Sequence, residues 1–198
     1  MGDRVLSISA HATAHESLDA DGALVQAART DPHAFGTLYD RYVDVVYRYL
    51  YRQTGASEAA EDLTSLTFMR ALAGLKHFQA SRPFAPWLFR IAHNALVDYR
   101  RTSTRTVRLT EEIESALTER ADPGADRTTE EATDFLQFTI GLPDDQRDAL
   151  ALRFVADLST EQTAAALGRS AGAAKMLVAR GIATLRARVA RDAKEEDQ

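Results

Sequence analysis

Between residues 159 and 190 the chain carries the punctuation of two short helices joined by a tight turn, which leaves few folds open. Ser159-Thr160-Glu161-Gln162 has the spacing of a capping box, in which the serine oxygen accepts from a free amide and Gln162 reaches back. A short run with Ala164, Ala165, Ala166 and Leu167 follows, and Gly168 suits the left-handed residue past a helix end. Ser170 is placed to cap a second helix, from Ala171 to about Ala190, whose later half is basic. Small residues let the pair approach closely, so the pattern predicts a helix-turn-helix. Its functional reading puts the second helix in a DNA major groove. A helical hairpin with an ordinary charged face is the bland alternative. Lys175, Arg180, Arg186, Arg188 and Arg191 cannot all face one way at 3.6 residues per turn, so some should meet phosphate and others only solvent.

The rest of the chain is also helical in period. Phe35, Leu38, Tyr42, Val45, Val46 and Tyr49 recur at three- and four-residue steps. Thr54-Gly55 breaks the run, and Ser57 is the expected cap of the next helix, to about Ala73. Residues 74–83 read as a loop, Pro86 sits where a first helical turn tolerates proline, and Leu88, Ile91, Ala92, Ala95 and Tyr99 form a further stripe. With no convincing period-two run, the expected class is all-α. The periodicity fades from about Val107, and Asp122-Pro123-Gly124-Ala125-Asp126 is a turn cluster. A short helix over Glu111–Thr118 is compatible with the intervening sequence. Two small helical domains are therefore expected, at 19–106 and 135–191. They are joined by an acidic flexible linker at 107–134, with a flexible extension at 1–18 and an acidic tail at 192–198.

Charge sharpens this division. The chain has net charge −5 overall. Residues 82–108 hold six arginines against Asp98 alone, residues 109–134 hold nine acids against two bases, and residues 135–191 return to net +3. Anion binding belongs in the two basic blocks. The absence of cysteine removes a disulfide framework, a thiol nucleophile and thiolate zinc. No apolar run approaches the ~20 residues of a membrane span, and Met1–Ala20 lacks the apolar core of a secretory signal. A cytoplasmic protein without membrane insertion is expected. His11, His15, His33, His77 and His93 show no metal-ligand spacing, and neither a phosphate-binding glycine loop nor a nucleophile elbow is present. Neither metal, cofactor nor enzymatic activity is expected.

Two further stretches carry information. In Ser81-Arg82-Pro83-Phe84-Ala85-Pro86-Trp87-Leu88-Phe89-Arg90-Ile91-Ala92-His93-Asn94 aromatics and arginines interleave, and Arg100, Arg101, Arg105 and Arg108 follow. Aromatic planes stack on unpaired bases at ~1–3 kcal/mol each while arginines hold the backbone. Trp87 could equally be core; the Arg100-Arg101 pair points to phosphate. The helix across Ala60–Leu72 begins with acids and is apolar almost all round, so it either lies deep in a core or docks a partner helix.

In this order the three stretches resemble a bacterial extracytoplasmic-function (ECF) sigma factor of the sigma-70 family, over about residues 20–105 and 137–190. Ala60-Glu61-Asp62-Leu63 through Thr67-Phe68 resembles region 2.2, which implies a core RNA polymerase contact through Glu61, Asp62, Leu63, Leu66, Phe68 and Met69. Pro86 through Asn94 resembles regions 2.3 and 2.4, which melt and read the −10 element. That implies roles for Phe78, Arg82, Trp87, Arg90, Asn94, Arg100 and Arg101, with Asn94 near a flipped-out base and the loop from Phe78 to Arg82 around it. Leu142-Pro143-Asp144-Asp145-Gln146-Arg147 and the helix-turn-helix resemble region 4, implying −35 contacts from Ser170, Lys175, Met176, Ala179 and Arg180. The implied partners are core RNA polymerase and promoter DNA, double-stranded at −35 and single-stranded at −10. An anti-sigma factor is a further partner for many members.

The chain departs from the family at two places. Where Gly-Thr-Val-Lys-Ser-Arg is frequent it has Gly172-Ala173-Ala174-Lys175-Met176-Leu177, which predicts a weaker or different −35 contact. Leu66 stands where an acid or amide is frequent. A regulator that binds DNA without polymerase would share the helix-turn-helix but would leave the 60–72 helix and the aromatic–arginine block unexplained.

Overall fold

The computed structural model of the chain describes residues 21–79, 81–111 and 135–195. The expected N-terminal extension, the helix over Glu111–Thr118 beyond its first residue and most of the acidic linker lie outside them.

Among the described residues the N-terminal part has four helices: α1 (Gly22–Ala27), α2 (Pro32–Thr54), α3 (Ser57–Gly74) and α4 (Phe84–Glu111), with a 3-10 turn at Leu75–His77. Helix α2 starts where proline fills a first-turn position and the Asp31 carboxylate accepts from the His33 amide at 2.9 Å. It stops at Gly55, whose φ of 71° places it in the left-handed region. Leu38, Tyr42, Val46 and Tyr49 of the predicted stripe are buried, Phe35 and Val45 are only half-buried, and the buried face adds Leu50 and ends in the polar Gln53. Helix α3 corrects the sequence reading: Ser57 is its first residue and the N-cap is Ala56, with no side-chain cap bond. Thr64 and Thr67 instead donate back to the carbonyls of Ala60 and Leu63, at 2.7 and 2.6 Å, which satisfies two buried hydroxyls inside the helix. Asp21, 1% exposed, ties α1 to α2 by accepting from Arg41 and Tyr42.

Aromatic packing closes this part. Phe84 lies 5.4 Å from Tyr42 and 5.9 Å from Phe78, and Phe89 meets Tyr49 edge-on at 5.6 Å. Helix α4 runs to Glu111, past the fading of its hydrophobic period at 107. Propagating an existing helix adds one bond per residue and needs no apolar face, and nothing between 87 and 111 is glycine or proline.

The C-terminal part begins with a helical turn over residues 135–139, then α5 (Asp144–Phe154), α6 (Thr160–Leu167) and α7 (Ala171–Glu195). The capping box is present: Gln162 N–H donates to Ser159 Oγ at 3.2 Å, and Ser159 N–H donates to Gln162 Oε1 at 2.8 Å. Gly168 is left-handed with φ 65°, and the amides of Gly168 and Arg169 close back on Ala165 and Ala164. Ser170 Oγ accepts from Ala173, so it caps α7 as expected. That helix runs through most of the expected tail, to Glu195. Leu142, Leu150 and Leu185 make a small core under α5 and α7, and Leu150 comes so close to Gly181 that a Cβ there would lie 2.9 Å from it.

The two parts share a core. Ala151, Leu152, Ala156, Leu158 and Ala166 belong to one buried cluster with Leu50, Phe89, Ala92 and Leu96. Helix α5 packs on α2, and α6 packs on α4. Leu136 approaches Gly55 so closely that a Cβ there would lie 2.8 Å from its Cδ1. Sequence periodicity predicts a core in each part but says nothing about this extension of the N-terminal core into the C-terminal part.

Candidate nucleic-acid interface

Helix α4 and the loop before it form the first surface. Phe78 is buried and packs with its ring tilted 42° and centred 4.6 Å from that of half-buried Trp87, which also lies 5.5 Å from Phe84. The Phe78 carbonyl is held by the Arg29 guanidinium from beyond α1, a positioning residue with no motif to reveal it. Arg82 and Arg90 stand exposed on the rim. Together with His77, Gln79 and Pro86 these residues line a cleft of about 490 Å³. Its opposite wall is not solvent. Glu161, Gln162 and Ala165 of α6 line it, and the Arg90 guanidinium sits so near Gly168 that a Cβ there would meet its Nη2 at 3.3 Å.

Further along α4, Asn94 is exposed while its neighbour His93 points into the joint between the two parts. Arg101 is exposed and pairs with Asp98 at 2.9 Å. Arg100 is not solvated as the paired arginines suggest. Its Nη1 donates to Asp148 Oδ1 at 2.9 Å and its Nη2 to Gln53 Oε1 at 2.7 Å. Gln53 Nε2 in turn donates to Asp148 Oδ1 at 3.2 Å. His93 Nδ1 lies 3.6 Å from Asp148 Oδ2 and 3.5 Å from the Tyr49 hydroxyl. Burial holds the His93 pKa below its ordinary value against the pull of Asp148, which favours the neutral ring there. Burial likewise raises the Asp148 carboxyl, opposed by Arg100 and His93, and raises the Tyr49 phenol well above its usual range. Asp148 carries no sequence signal beyond an acid early in a helix. Gln53 did carry one, a polar residue four places after Tyr49 on an otherwise apolar face.

The second surface is the outer face of α7. Ser170, Lys175, Met176, Ala179 and Arg180 are all exposed, Met176 by 50%. The basic residues after them divide. Arg188 donates to the carbonyls of Ile140 at 2.7 Å and of Phe138, closing the end of the 135–139 turn, so it is not plain solvated charge. The third surface is α3. Glu61, Asp62 and Met69 are exposed and Leu66 is half-buried, but Leu63 and Phe68 face the core at 5% and 4% exposure, with Phe68 4.7 Å from the Tyr39 ring. Those two shape the face from beneath. Among the described residues no acid–histidine group could hold a metal, and no helix is long and apolar enough to cross a membrane.

Comparison with known proteins bears on both parts. The family pattern of sigma-70 region 2 matches residues 38–106, and that of sigma-70 region 4 matches residues 135–185. The chain is 36% identical over 175 residues to the ECF RNA polymerase sigma factor BldN of Streptomyces coelicolor, covering 84% of this chain and 66% of that one. It is 31% identical over 125 residues to the ECF RNA polymerase sigma factor SigM of Bacillus subtilis, covering 63% of this chain and 76% of that one. Among solved structures it resembles CnrH in complex with the cytosolic domain of CnrY, with a TM-score of 0.69 and 26% identity over 88% of this chain and 99% of that one. It also resembles RpoE bound to the anti-sigma factor NepR from Bartonella quintana, with a TM-score of 0.62 and 27% identity over 77% and 94%.

Proposed function

The chain belongs to the extracytoplasmic-function sigma factors of the sigma-70 family, and we propose that it directs core RNA polymerase to promoters by reading a −35 element with α7 and a −10 element with α4 and the loop before it. It is a transcription initiation factor, and sigma factors form no bonds of their own; polymerase supplies the chemistry. The observation that carries the finer reading is that one chain offers both a bare, well-capped recognition helix and a separate aromatic cleft edged by Arg82 and Arg90.

In this reading residues 19–106 are the region 2 domain, 107–134 the linker and 135–191 the region 4 domain. Glu61, Asp62, Leu66 and Met69 meet polymerase, with Leu63 and Phe68 as their support. Lys175 and Arg180 take phosphates or guanine edges, and Met176 and Ala179 offer apolar contact to thymine methyl groups. This surface has few hydrogen-bonding groups, so α7 contributes modest affinity and polymerase the rest. At −10 a flipped base costs a few kcal/mol to unstack, and stacking at ~1–3 kcal/mol per base recovers that in a cleft lined by Phe78 and Trp87 with Asn94 beyond. Arg82, Arg90, Arg100 and Arg101 hold the strand backbone. Such a protein works in the cytoplasm, where polymerase is, and an anti-sigma factor is a fitting partner given the complexes its structural relatives form.

Size-exclusion chromatography with purified bacterial core RNA polymerase tests this. Co-elution at about one to one, followed by promoter-dependent transcription from the reconstituted enzyme, is the expected result. A folded chain that elutes apart from core, both alone and with promoter DNA, overturns it in favour of an autonomous regulator.

A further inference from the structure

We propose that Arg29 is a positioning residue for base selection at −10: its guanidinium, 49 positions away in sequence, fixes the first peptide of the Phe78–Arg82 loop and so sets which unpaired base the cleft accepts. The proposal rests on the assignment of that loop to −10 DNA.

The loop leaves the 3-10 turn at Phe78, whose φ of −68° and ψ of 134° take the chain from helical to extended. Both backbone groups of Phe78 are held there. Its N–H donates to the Leu75 carbonyl at 3.1 Å, and its own carbonyl accepts from Arg29 Nη2. A peptide unit is planar, so a bond to that carbonyl also fixes the direction in which Gln79 leaves. The Gln79 carbonyl then accepts from the Arg82 N–H at 2.9 Å. Two residues that line the cleft, Gln79 and Arg82, are thereby placed relative to the peptide that Arg29 holds. The aromatic floor is fixed separately, by packing. The Phe78 ring meets those of Phe84 and Trp87, and Trp87 lies so close to Gly74 that a Cβ there would come within 3.2 Å of its ring.

Arg29 itself stands on a fixed base. A six-residue helix such as α1 does not persist alone in water. Here Val25 and Ala28 are buried in the core, and Asp21 accepts from Arg41 and Tyr42 of α2. The amides of Arg29, Thr30 and Asp31 bond back to the carbonyls of Gln26 and Ala27. Arg29 is exposed, so its bond to Phe78 does not serve to satisfy a buried charge; its consequence is geometric. Stacking on Phe78 and Trp87 tolerates any base, because every base has a π-face. Discrimination is a difference of affinities, and it needs polar groups held at a fixed place against one base edge. Releasing the Phe78 peptide therefore erodes the choice of base more than it weakens the hold on the strand.

The test uses holoenzyme reconstituted from core RNA polymerase and the full chain, as the parent, Arg29→Ala or Arg29→Lys. The probe is a pool of promoter templates randomised across the −35 and −10 elements, whose transcripts are sequenced to rank the bases selected. Arg29→Ala is expected to flatten the preference at one −10 position by about fivefold or more, the size of a lost base contact. The −35 preference and co-elution with core should stay at the parental level. Arg29→Lys should recover part of the −10 preference, since an ammonium can still donate one bond to the carbonyl. Parental preference at every −10 position in Arg29→Ala overturns the proposal. A uniform loss across templates with the ranking of bases kept overturns it too: a salt slope lower by about one then marks Arg29 as a phosphate ligand, and an unchanged slope as a plain structural residue. Failure of the sigma reading looks different, because the parent itself then elutes apart from core and selects no template pattern, and the proposal falls with it.

Discussion

Asp148 on α5 and Arg100 on α4, 48 positions apart in sequence, form a 2.9 Å ion pair at the centre of the joint between the two domains. Both are largely out of water, at 5% and 19% side-chain exposure, and Gln53 bonds to each. Removing one partner strands a buried charge, which costs about 3–5 kcal/mol, whereas replacing both by apolar groups of similar volume is close to neutral. Arg100→Met should therefore lower the unfolding free energy by ~3 kcal/mol, and Arg100→Met with Asp148→Leu should recover most of it. Urea denaturation of the four members of the cycle measures this. A loss in the double variant equal to the sum of the two single losses would mean that the pair contributes nothing as a pair.

His93 gives the joint a pH dependence whose sign can be worked out. It is faced by Asp148 and Asp145 of α5, Arg100 of α4, Arg169 after α6 and the Tyr49 hydroxyl of α2. Burial lowers its pKa in the closed chain, so closure favours the neutral ring. That contribution is complete above the ordinary histidine value of about 6.5 and is lost as pH falls below it. Asp148 acts in the opposite sense, since burial raises its carboxyl and protonation favours closure, but from a carboxylate starting value and so at lower pH. Between pH of about 7.5 and about 5.5 the histidine governs. The radius of gyration should rise across that window and should stay flat in His93→Gln.

What the sequence makes legible here is local, and what it hides is relational. The capping box at Ser159, the left-handed Gly168 and the Ser170 cap follow from residues within a few positions of one another, and the structure has all three. So does the α2 stripe. Ser57 shows the limit of local rules, since a good capping residue became the first helical residue when Thr54 and Gly55 set the turn. The aromatic–arginine block is legible as a composition, but whether an arginine in it is solvated or spoken for depends on an acid 48 residues away. Arg100 and Arg188 look alike in sequence, and each turns out to be held by a distant acceptor. Arg29, which fixes the Phe78 carbonyl, has no pattern at all.

Gly168 joins the helix-turn-helix geometry to the domain joint. Its φ of 65° is left-handed, and a Cβ would lie 3.3 Å from the Arg90 guanidinium. The left-handed conformation costs an L-residue about 1–2 kcal/mol, so Gly168→Ala should destabilise the chain by about that amount, with Arg90 displaced. Ser159→Ala should cost ~1 kcal/mol by removing one half of the capping box. The two losses should add within a few tenths of a kcal/mol because the residues cap opposite ends of α6. Thermal unfolding of the two single variants and the double one decides it.

On the recognition helix the roles of charge and apolar surface can be separated. Lys175→Ala should weaken binding to every duplex alike and reduce the slope of log affinity against log salt by about one, as expected for a lost phosphate contact. Arg180→Ala should weaken −35-dependent transcription by about tenfold or more if it reads a guanine edge, and relax selectivity at one base pair. Met176, 50% exposed with no polar group, should instead sense the thymine 5-methyl. Replacing one −35 thymine by deoxyuridine should then weaken the parent protein, while Met176→Ala should be indifferent to the same replacement. None of the three substitutions lies on α3, so co-elution with core polymerase should remain at the parental level in each. A loss of polymerase binding with Arg180→Ala would show that α7 meets protein rather than DNA.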